Sequence, residues 1–148
     1  MQAFATASAG FLLAVIWFDL MHDVLARGRG PTPDGLDTIE RYYARVTRGA
    51  SPMNRLVMVG MLGLLVSLVL ELGTGGAPAW AAVTSLLLAI PPIALAGTST
   101  VPAAVRLGQR TDPVERRMVV ARHILRQHVM CFVCIAAVLV IQLASLGA

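Results

Sequence analysis

The stretch WFDLMHD, residues 17–23, places two carboxylates and an imidazole within five residues at the end of a long apolar segment. Asp19 and Asp23 are four positions apart, so both carboxylates lie on one face if the segment is helical. Such a pair can hold one or two guanidinium groups. A neutral histidine near a carboxylate, as at His22, can also accept a proton as a general base.

A second set of ionisable residues begins the last apolar segment, at residues 122–131. If the apolar segments cross a membrane in succession, this set lies on the same side as the WFDLMHD stretch. An arginine at the start of the second segment lies there too. The resulting candidate cluster is Asp19, His22, Asp23, Arg55, Arg122, Arg126, His128 and Cys131.

Three interpretations of this cluster stay open. The favoured one is structural: Asp19 and Asp23 form ion pairs with arginines and lock the first helix to its neighbours, because ionisable groups are common where helices leave a membrane. The second is a polar pocket that binds a small molecule. The third is a metal or haem site that uses His22 and His128 with Asp19 or Cys131. No ligand spacing such as H-E-x-x-H accompanies these histidines. No metal or cofactor is therefore predicted, and haem or metal binding is kept as an alternative.

Glu71 is a separate acidic residue at the other end of the second apolar segment. Acids inside membrane spans often have a functional role, so Glu71 is a candidate site for a proton or a cation near the exterior. The favoured interpretation is an interfacial carboxylate that touches the short turn at residues 73–76.

The composition indicates an integral membrane protein. Hydrophobic residues make up 57% of the 148 residues, charged residues make up 14%, and the mean hydropathy is +0.74. A soluble domain of this length cannot bury so much apolar surface in one core. Four apolar segments cover residues 4–25, 53–72, 79–97 and 124–146, each close to the roughly 20 residues that cross a bilayer core. We therefore predict an all-α four-transmembrane-helix bundle in a single membrane domain, residues 1–148.

The basic residues predict the orientation. All 12 are arginine, and all fall in the connections 26–52 and 98–123 or at the adjoining helix ends. The opposite side, with both termini and the turn 73–77, has none. The positive-inside rule therefore predicts that both long loops are cytoplasmic and both termini lie outside. Arginine without lysine indicates a bacterial source, so we expect the cytoplasmic (inner) membrane. No nucleic-acid partner is predicted, because no aromatic-basic pattern accompanies the charge.

Both long connections are expected to carry helix. In the first, Asp37 and Glu40 have the spacing of a capping box, and apolar residues follow at helical spacing. This pattern predicts a short basic amphipathic helix at the membrane surface. In the second, Asp112 and Pro113 predict a helix start, so the fourth helix extends into the cytoplasm. The Pro-Pro pair at residues 91–92 is expected to kink the third helix.

Small and polar residues predict which faces of the helices pack together. Small residues recur every three or four positions in the first three helices, as they do where membrane helices approach closely. Polar residues follow one seam of the fourth helix. The predicted inward faces are Ala3, Ala7, Gly10 and Ala14; Gly60, Gly63 and Ser67; Ser85, Ala89, Pro92 and Ala96; and His128, Cys131, Ile135, Val138, Gln142 and Ser145.

The stretch TVPAAVRL, residues 100–107, follows the third segment, and arginines crowd the start of the fourth. In these features and in its four-helix layout, the chain resembles small bacterial four-helix membrane proteins of unknown function. It distantly resembles the anthrone-oxygenase-like family, with alanine where that family has asparagine. The resemblance implies a cofactor-independent oxygenase or a related small-molecule activity. It assigns no catalytic residue.

The sequence contains no reaction-specific motif, so the predicted function is an accessory, assembly or scaffold component of the cytoplasmic membrane. One alternative is a binder or transporter of a small molecule or lipid that uses a polar pocket on the cytoplasmic side. Another is a membrane enzyme or redox protein, oxygenase-like or haem- or metal-binding, with its site at the cytoplasmic end of the first and fourth helices. Whether the chain is an enzyme is left open. The expected partners are membrane lipids, other membrane proteins and a second copy of the chain.

Overall fold

A computed structural model describes residues 1–28, 30–48 and 51–146, and these residues form an all-α bundle. A 3₁₀ turn, Val24–Ala26, follows the first helix, and a π-helical turn, Ala96–Thr100, joins the fourth helix to the fifth. The helices are α1 (Gln2–Asp23), α2 (Pro33–Arg48), α3 (Ser51–Thr74), α4 (Ala79–Leu95), α5 (Val101–Gln109) and α6 (Val114–Ser145).

Four of the helical stretches are long and apolar enough to cross a membrane: Gln2–Ala26, Pro52–Thr74, Ala79–Gln109 and Val114–Ser145. Large apolar side chains such as Phe4, Leu87 and Val140 project outward from them. In lipid such an outer surface is solvated, because acyl chains replace water. The predicted all-α bundle with four apolar spans is therefore confirmed, and the chain is a multi-pass membrane protein.

The two ends of the bundle differ. We call the end that carries α2 and the connection at residues 110–113 the loop end. The opposite end, with both chain termini and the turn at residues 75–78, is the terminal end. There the first and last helices meet, since the Gln2 side-chain amide donates to the Ser145 hydroxyl over 2.7 Å.

The third span is longer than the sequence predicts. A loop was expected over residues 98–123, but helix continues through the π-helical turn to the end of α5. The hydroxyls that lower the hydropathy here are bound within the structure: Thr98 donates to the Ala94 carbonyl, and Thr100 donates to Gln127 of α6 over 2.9 Å. The π-helical turn follows the predicted proline pair by one turn, and prolines withhold N–H donors from the preceding turn.

The start of α2 also differs from the prediction. The helix begins at Pro33, one turn before the expected capping box at Asp37. Thr32 caps it, because its hydroxyl accepts a hydrogen bond from the Gly35 amide over 3.2 Å. Proline at the first helical position is a common start, since its missing N–H would be unpaired there anyway. Likewise α6 begins at Val114 without a side-chain cap from Asp112.

The α2 helix covers the loop end of the bundle, and its apolar face is buried against protein instead of membrane. Ile39 and Tyr43 pack with Leu107 of α5 and Ile124 of α6. The helices α2 and α5 cross very closely, since a Cβ at Gly108 would lie 2.6 Å from the Ala44 backbone nitrogen.

Buried ion pairs hold α2 in this position. Glu40 is 2% exposed, and its carboxylate oxygens lie 3.0 Å from Arg110 Nε and 2.5 Å from Arg117 Nη1. Asp37, on the exposed side, pairs with Arg41 over 2.6 Å and also with Arg110. The acids of the predicted capping box therefore fasten α2 to the α5–α6 connection.

The predicted inward faces are confirmed for α3, α4 and α6 and wrong for α1. Gly60, Ser85 and Ala89 are buried, as is the whole predicted seam of α6. On α1, however, the small residues predicted to pack inward lie mostly on the outer face. The buried residues of α1 share one face and are Ala5, Ala9, Leu12 and Asp23.

Candidate functional site

The candidate site is built around Asp23, which is fully buried at the loop end of α1. The Tyr43 hydroxyl donates to Asp23 Oδ1 over 2.7 Å. On the other side, His128 Nδ1 lies 2.5 Å from Asp23 Oδ2. Three helices therefore meet at one carboxylate: α1 supplies it, α2 donates a hydroxyl, and α6 presents an imidazole.

This contact orients the imidazole. An ionised Asp23 accepts the Nδ1 proton of His128, and that tautomer leaves the Nε2 lone pair free. The Nε2 atom faces Asp19, whose Oδ2 lies 3.8 Å away. That distance exceeds a hydrogen bond, so the two atoms flank a point where a third polar atom can contact both.

Asp19 is held from the opposite side. The Tyr42 hydroxyl donates to Asp19 Oδ1 over 2.6 Å. The His22 ring stacks on Tyr42 with 3.8 Å between ring centroids and 9° between planes, and His22 Nδ1 lies 3.0 Å from the Phe18 carbonyl oxygen. His22 therefore supports Tyr42, while His128 is the histidine that contacts the aspartates.

Both tyrosines are held as hydrogen-bond donors. Burial raises the pKa of the Tyr42 hydroxyl, and the negative charge of Asp19 raises it further. Burial also raises the pKa of Tyr43, and the charge of Asp23 adds to that effect. Each phenol stays protonated at neutral pH and keeps its carboxylate in place.

An apolar cavity reaches this polar group. It has a volume of about 120 Å³, and Asp19 and His128 line it together with Leu12, Met61 and Ile135. The polar residues share one end of an otherwise apolar space, so a molecule bound there meets them with one part only. Cys131 lines the same cavity, one turn from His128.

A second cavity of about 330 Å³ lies beneath α2 and shares Asp19 and His128 with the first. The residues along its outer side include Met53, Met58 and Val101, which are 44%, 61% and 51% exposed. These residues belong to the spans of α3 and α4–α5. The space beside the polar group is therefore bordered by apolar side chains that lie on the lipid-facing surface.

The structure brings together part of the predicted cluster. His128 contacts Asp23 and lies 3.8 Å from Asp19, Cys131 lies in the cavity wall, and His22 stacks on the tyrosine that binds Asp19. Arg55, Arg122 and Arg126 are not in this group: across residues 1–28, 30–48 and 51–146, none of them forms an ion pair with a carboxylate.

The expected ion pairs of Asp19 and Asp23 with arginine are thus replaced by bonds to tyrosine and histidine. A buried guanidinium carries a large desolvation cost, whereas a phenol donates without introducing a charge. The two tyrosines were missed as site residues. Their helical spacing placed them on the apolar face of α2, but the sequence carries no signal for where α2 docks.

Two other predictions concern metals and Glu71. Among the residues that the structure describes, no group of three or more His, Cys, Asp or Glu side chains is arranged to hold a metal ion. Glu71 is fully buried instead of interfacial, and neither of its carboxylate oxygens has a hydrogen-bond partner within the described chain. The nearby turn contacts the backbone of Glu71, since the Gly76 amide donates to the Glu71 carbonyl over 3.2 Å.

No protein-family model matches the chain, and neither a curated protein nor a solved structure matches it significantly. The resemblance to the anthrone-oxygenase-like family therefore stays a prediction. Inferences about function depend on the geometry of the site.

Proposed function

We propose that this membrane protein takes up a lipophilic small molecule and that His128 accepts a proton from the one polar group of that molecule. The observation that carries the proposal is the arrangement of His128 between two carboxylates. Asp23 holds Nδ1 at 2.5 Å, Nε2 lies 3.8 Å from Asp19 Oδ2, and His128 and Asp19 both line the apolar cavity. An oriented base at the end of an apolar cavity is the geometry that general-base chemistry requires.

The proposed step is a simple proton transfer. An acidic O–H or C–H bond of the substrate breaks, its electron pair stays on the substrate, and the proton forms a new N–H bond at His128 Nε2. The carboxylates of Asp23 and Asp19 flank the imidazolium that results and stabilise its charge. Tyr43 and Tyr42 keep the two carboxylates fixed, so little reorganisation accompanies the transfer.

The cavity walls define the substrate class. Apolar side chains line most of the space, and the polar atoms lie at one end. The substrate is therefore mainly hydrocarbon with one weakly acidic group, such as a phenol or an enolisable ketone. The exposed apolar residues that border the neighbouring cavity favour entry from the lipid. Such chemistry is compatible with the cofactor-independent oxygenation that the family resemblance implies.

The orientation is part of the proposal. The described arginines cluster at the loop end, and the positive-inside rule favours the cytoplasm for that end. We place the loop end in the cytoplasm and both termini outside, in the inner membrane of a bacterium. His128 then lies near the cytoplasmic face.

The experiment uses 2-naphthol, a phenol whose ionised form has its own absorbance and fluorescence. In detergent-solubilised protein, the naphtholate signal of the bound probe is followed against pH. In the wild-type protein it develops at lower pH than for free naphthol in the same detergent. In His128→Gln that shift is lost. His123→Gln is the matched control, because His123 is exposed on the same helix and its side-chain hydrogen bond in the described chain is with the Ser99 hydroxyl, over 3.4 Å.

Two results contradict the proposal. If wild-type and His128→Gln bind naphthol and ionise it identically, His128 is not a base for bound phenols. If naphthol does not bind at all while the protein is folded, the cavity does not accept this substrate class.

An accessory, assembly or scaffold role is the second proposal, and the outer face of α1 favours it. Ala3, Ala7 and Ala14 are exposed, and nothing lies within 4 Å of the Cβ position of Gly10. Exposed small residues at this spacing allow close approach by another membrane helix. Self-association measured by energy transfer between labelled copies tests this role. Gly10→Leu reduces it if α1 is the contact and leaves it unchanged otherwise.

A further inference from the structure

A groove runs between α1 and α6 at the loop end, on residues that do not line the two cavities at His128. Its volume is about 790 Å³. Met21 and Val24 form one wall, Leu125 and Val129 form the other, and Trp17 lies at its inner end. The groove is therefore apolar along most of its length, and it lies between two helices that span the membrane.

Two arginines complete the groove. Arg27 follows the 3₁₀ turn after α1, and Arg126 lies on α6. Both are exposed, and in the described chain neither pairs with a carboxylate. Arg122 lies one turn before Arg126 on α6 and has no ion pair either. Like charges at this spacing repel one another.

Carboxylates are scarce around the groove because most of the acids of the chain are bound elsewhere. The chain has 8 acidic residues, and all of them lie in described segments. The ion pairs of the described chain take up Asp37, Glu40 and Asp112, which are bound by arginines of α2, α5, α6 and the connection between α5 and α6. Asp19 and Asp23 are bound by tyrosines and His128. The remaining acids do not neutralise the groove: Glu71 lies at the terminal end, and in the described chain neither Asp34 nor Glu115 forms an ion pair with Arg27 or Arg126. The charge at this groove therefore calls for an external anion.

We propose that the groove binds an anionic phospholipid. Its phosphate lies between Arg27 and Arg126, because a guanidinium group can bind two phosphate oxygens at once through parallel hydrogen bonds. Its acyl chain lies along the apolar walls. Those walls distinguish a lipid from a free phosphate, which has no part to fill them. The site is independent of the reaction proposed at His128. A lipid bound there contacts both the first and the last span from their lipid-facing side.

Trp17 gives a direct readout. The chain has two tryptophans, and Trp80 lies at the terminal end, so Trp80→Phe leaves Trp17 as the only indole. Bromine on an acyl chain quenches indole fluorescence at short range. The protein is reconstituted in bilayers that contain brominated phosphatidylglycerol or brominated phosphatidylcholine in a background of unbrominated lipid. We expect phosphatidylglycerol to quench Trp17 at a several-fold lower mole fraction.

The variants test the role of the arginines. Arg27→Gln with Arg126→Gln abolishes the preference for phosphatidylglycerol, so that the two lipids quench alike. Arg45→Gln with Arg48→Gln removes the same charge from α2, away from the groove, and keeps the preference.

Each other outcome overturns the proposal. Equal quenching by both lipids in the parent protein means ordinary solvation by the bilayer. Loss of the preference in both double variants means a general charge effect. Loss of the preference on adding inorganic phosphate means that a free anion suffices. The absence of quenching by either lipid means that protein, such as a second copy of the chain, covers the groove.

Discussion

At the scale of single residues, the candidate site depends on hydrogen bonds to two buried carboxylates. Asp23 is fully buried and receives the Tyr43 hydroxyl. Removing that donor leaves a buried carboxylate oxygen unpaired. Asp19 is 18% exposed in its side chain, so water can replace the hydroxyl of Tyr42. The two neighbouring tyrosines are thus a matched pair with different expected costs.

We predict that Tyr43→Phe lowers the free energy of unfolding by about 1–3 kcal/mol, the usual cost of an unsatisfied buried acceptor. Tyr42→Phe costs less. Thermal unfolding in detergent measures both. Equal losses in the two variants would show that burial of Asp23 does not set the cost.

Glu71 is a buried acid whose carboxylate has no hydrogen-bond partner in the described chain. The side chain is fully buried in a span. We predict that Glu71→Leu raises the free energy of unfolding by about 1–3 kcal/mol, since an unsatisfied polar group is removed. Glu115→Leu, at an exposed position, is the control and brings no such gain. Destabilisation by Glu71→Leu in thermal unfolding would mean that Glu71 has an external partner, such as the proton or cation considered from the sequence.

At the scale of elements, α2 determines the site, because it supplies both tyrosines. Its attachment depends on Glu40, which Arg117 and Arg110 bind. Breaking a buried ion pair by removing one partner typically costs about 3–5 kcal/mol. We predict that Glu40→Leu releases α2 from the bundle. Hydrogen exchange of amides in α2 then rises by orders of magnitude, while amides in the centres of the four spans remain protected. Asp37→Asn, at the exposed pair, changes the exchange little.

Alkaline pH offers a second way to release α2. The pKa values of Tyr42 and Tyr43 are raised in the folded protein, whereas the unfolded value is about 10. Groups with raised pKa values stabilise the fold fully below the unfolded pKa, and this contribution is lost as pH rises above it. We therefore predict that the protection of the α2 amides, measured relative to the base-catalysed exchange of an unfolded chain at the same pH, falls above pH of about 10. The double variant Tyr42→Phe with Tyr43→Phe flattens this dependence; an unchanged profile would remove the tyrosines as its cause.

At the scale of the whole molecule, hydropathy and helical periodicity predicted the all-α bundle, its four spans and the inward faces of three of them. They predicted the wrong inward face of α1, because small residues occur on two sides of this helix. The side that packs inward is set by the tertiary partners of Asp19 and Asp23, which the sequence does not reveal. They also ended the third span at Gly97, because hydroxyl groups lower its hydropathy although they are satisfied inside the helix. The docking of α2 is a tertiary event with no local signal, and the tyrosines of the site were missed for that reason.

The orientation of the whole molecule is the remaining prediction, and it decides which face of the membrane the site at His128 lies near. Single cysteines at Thr74 and at Arg45, in a background that lacks Cys131 and Cys134, report the two ends of the bundle. Both positions are exposed. An impermeant thiol reagent added to intact cells labels Thr74→Cys, and it labels Arg45→Cys only after the membrane is opened. The reverse pattern would place the loop end outside, and the proposed base would then act near the outer face. The arginines of the loop end would then be an exception to the positive-inside rule.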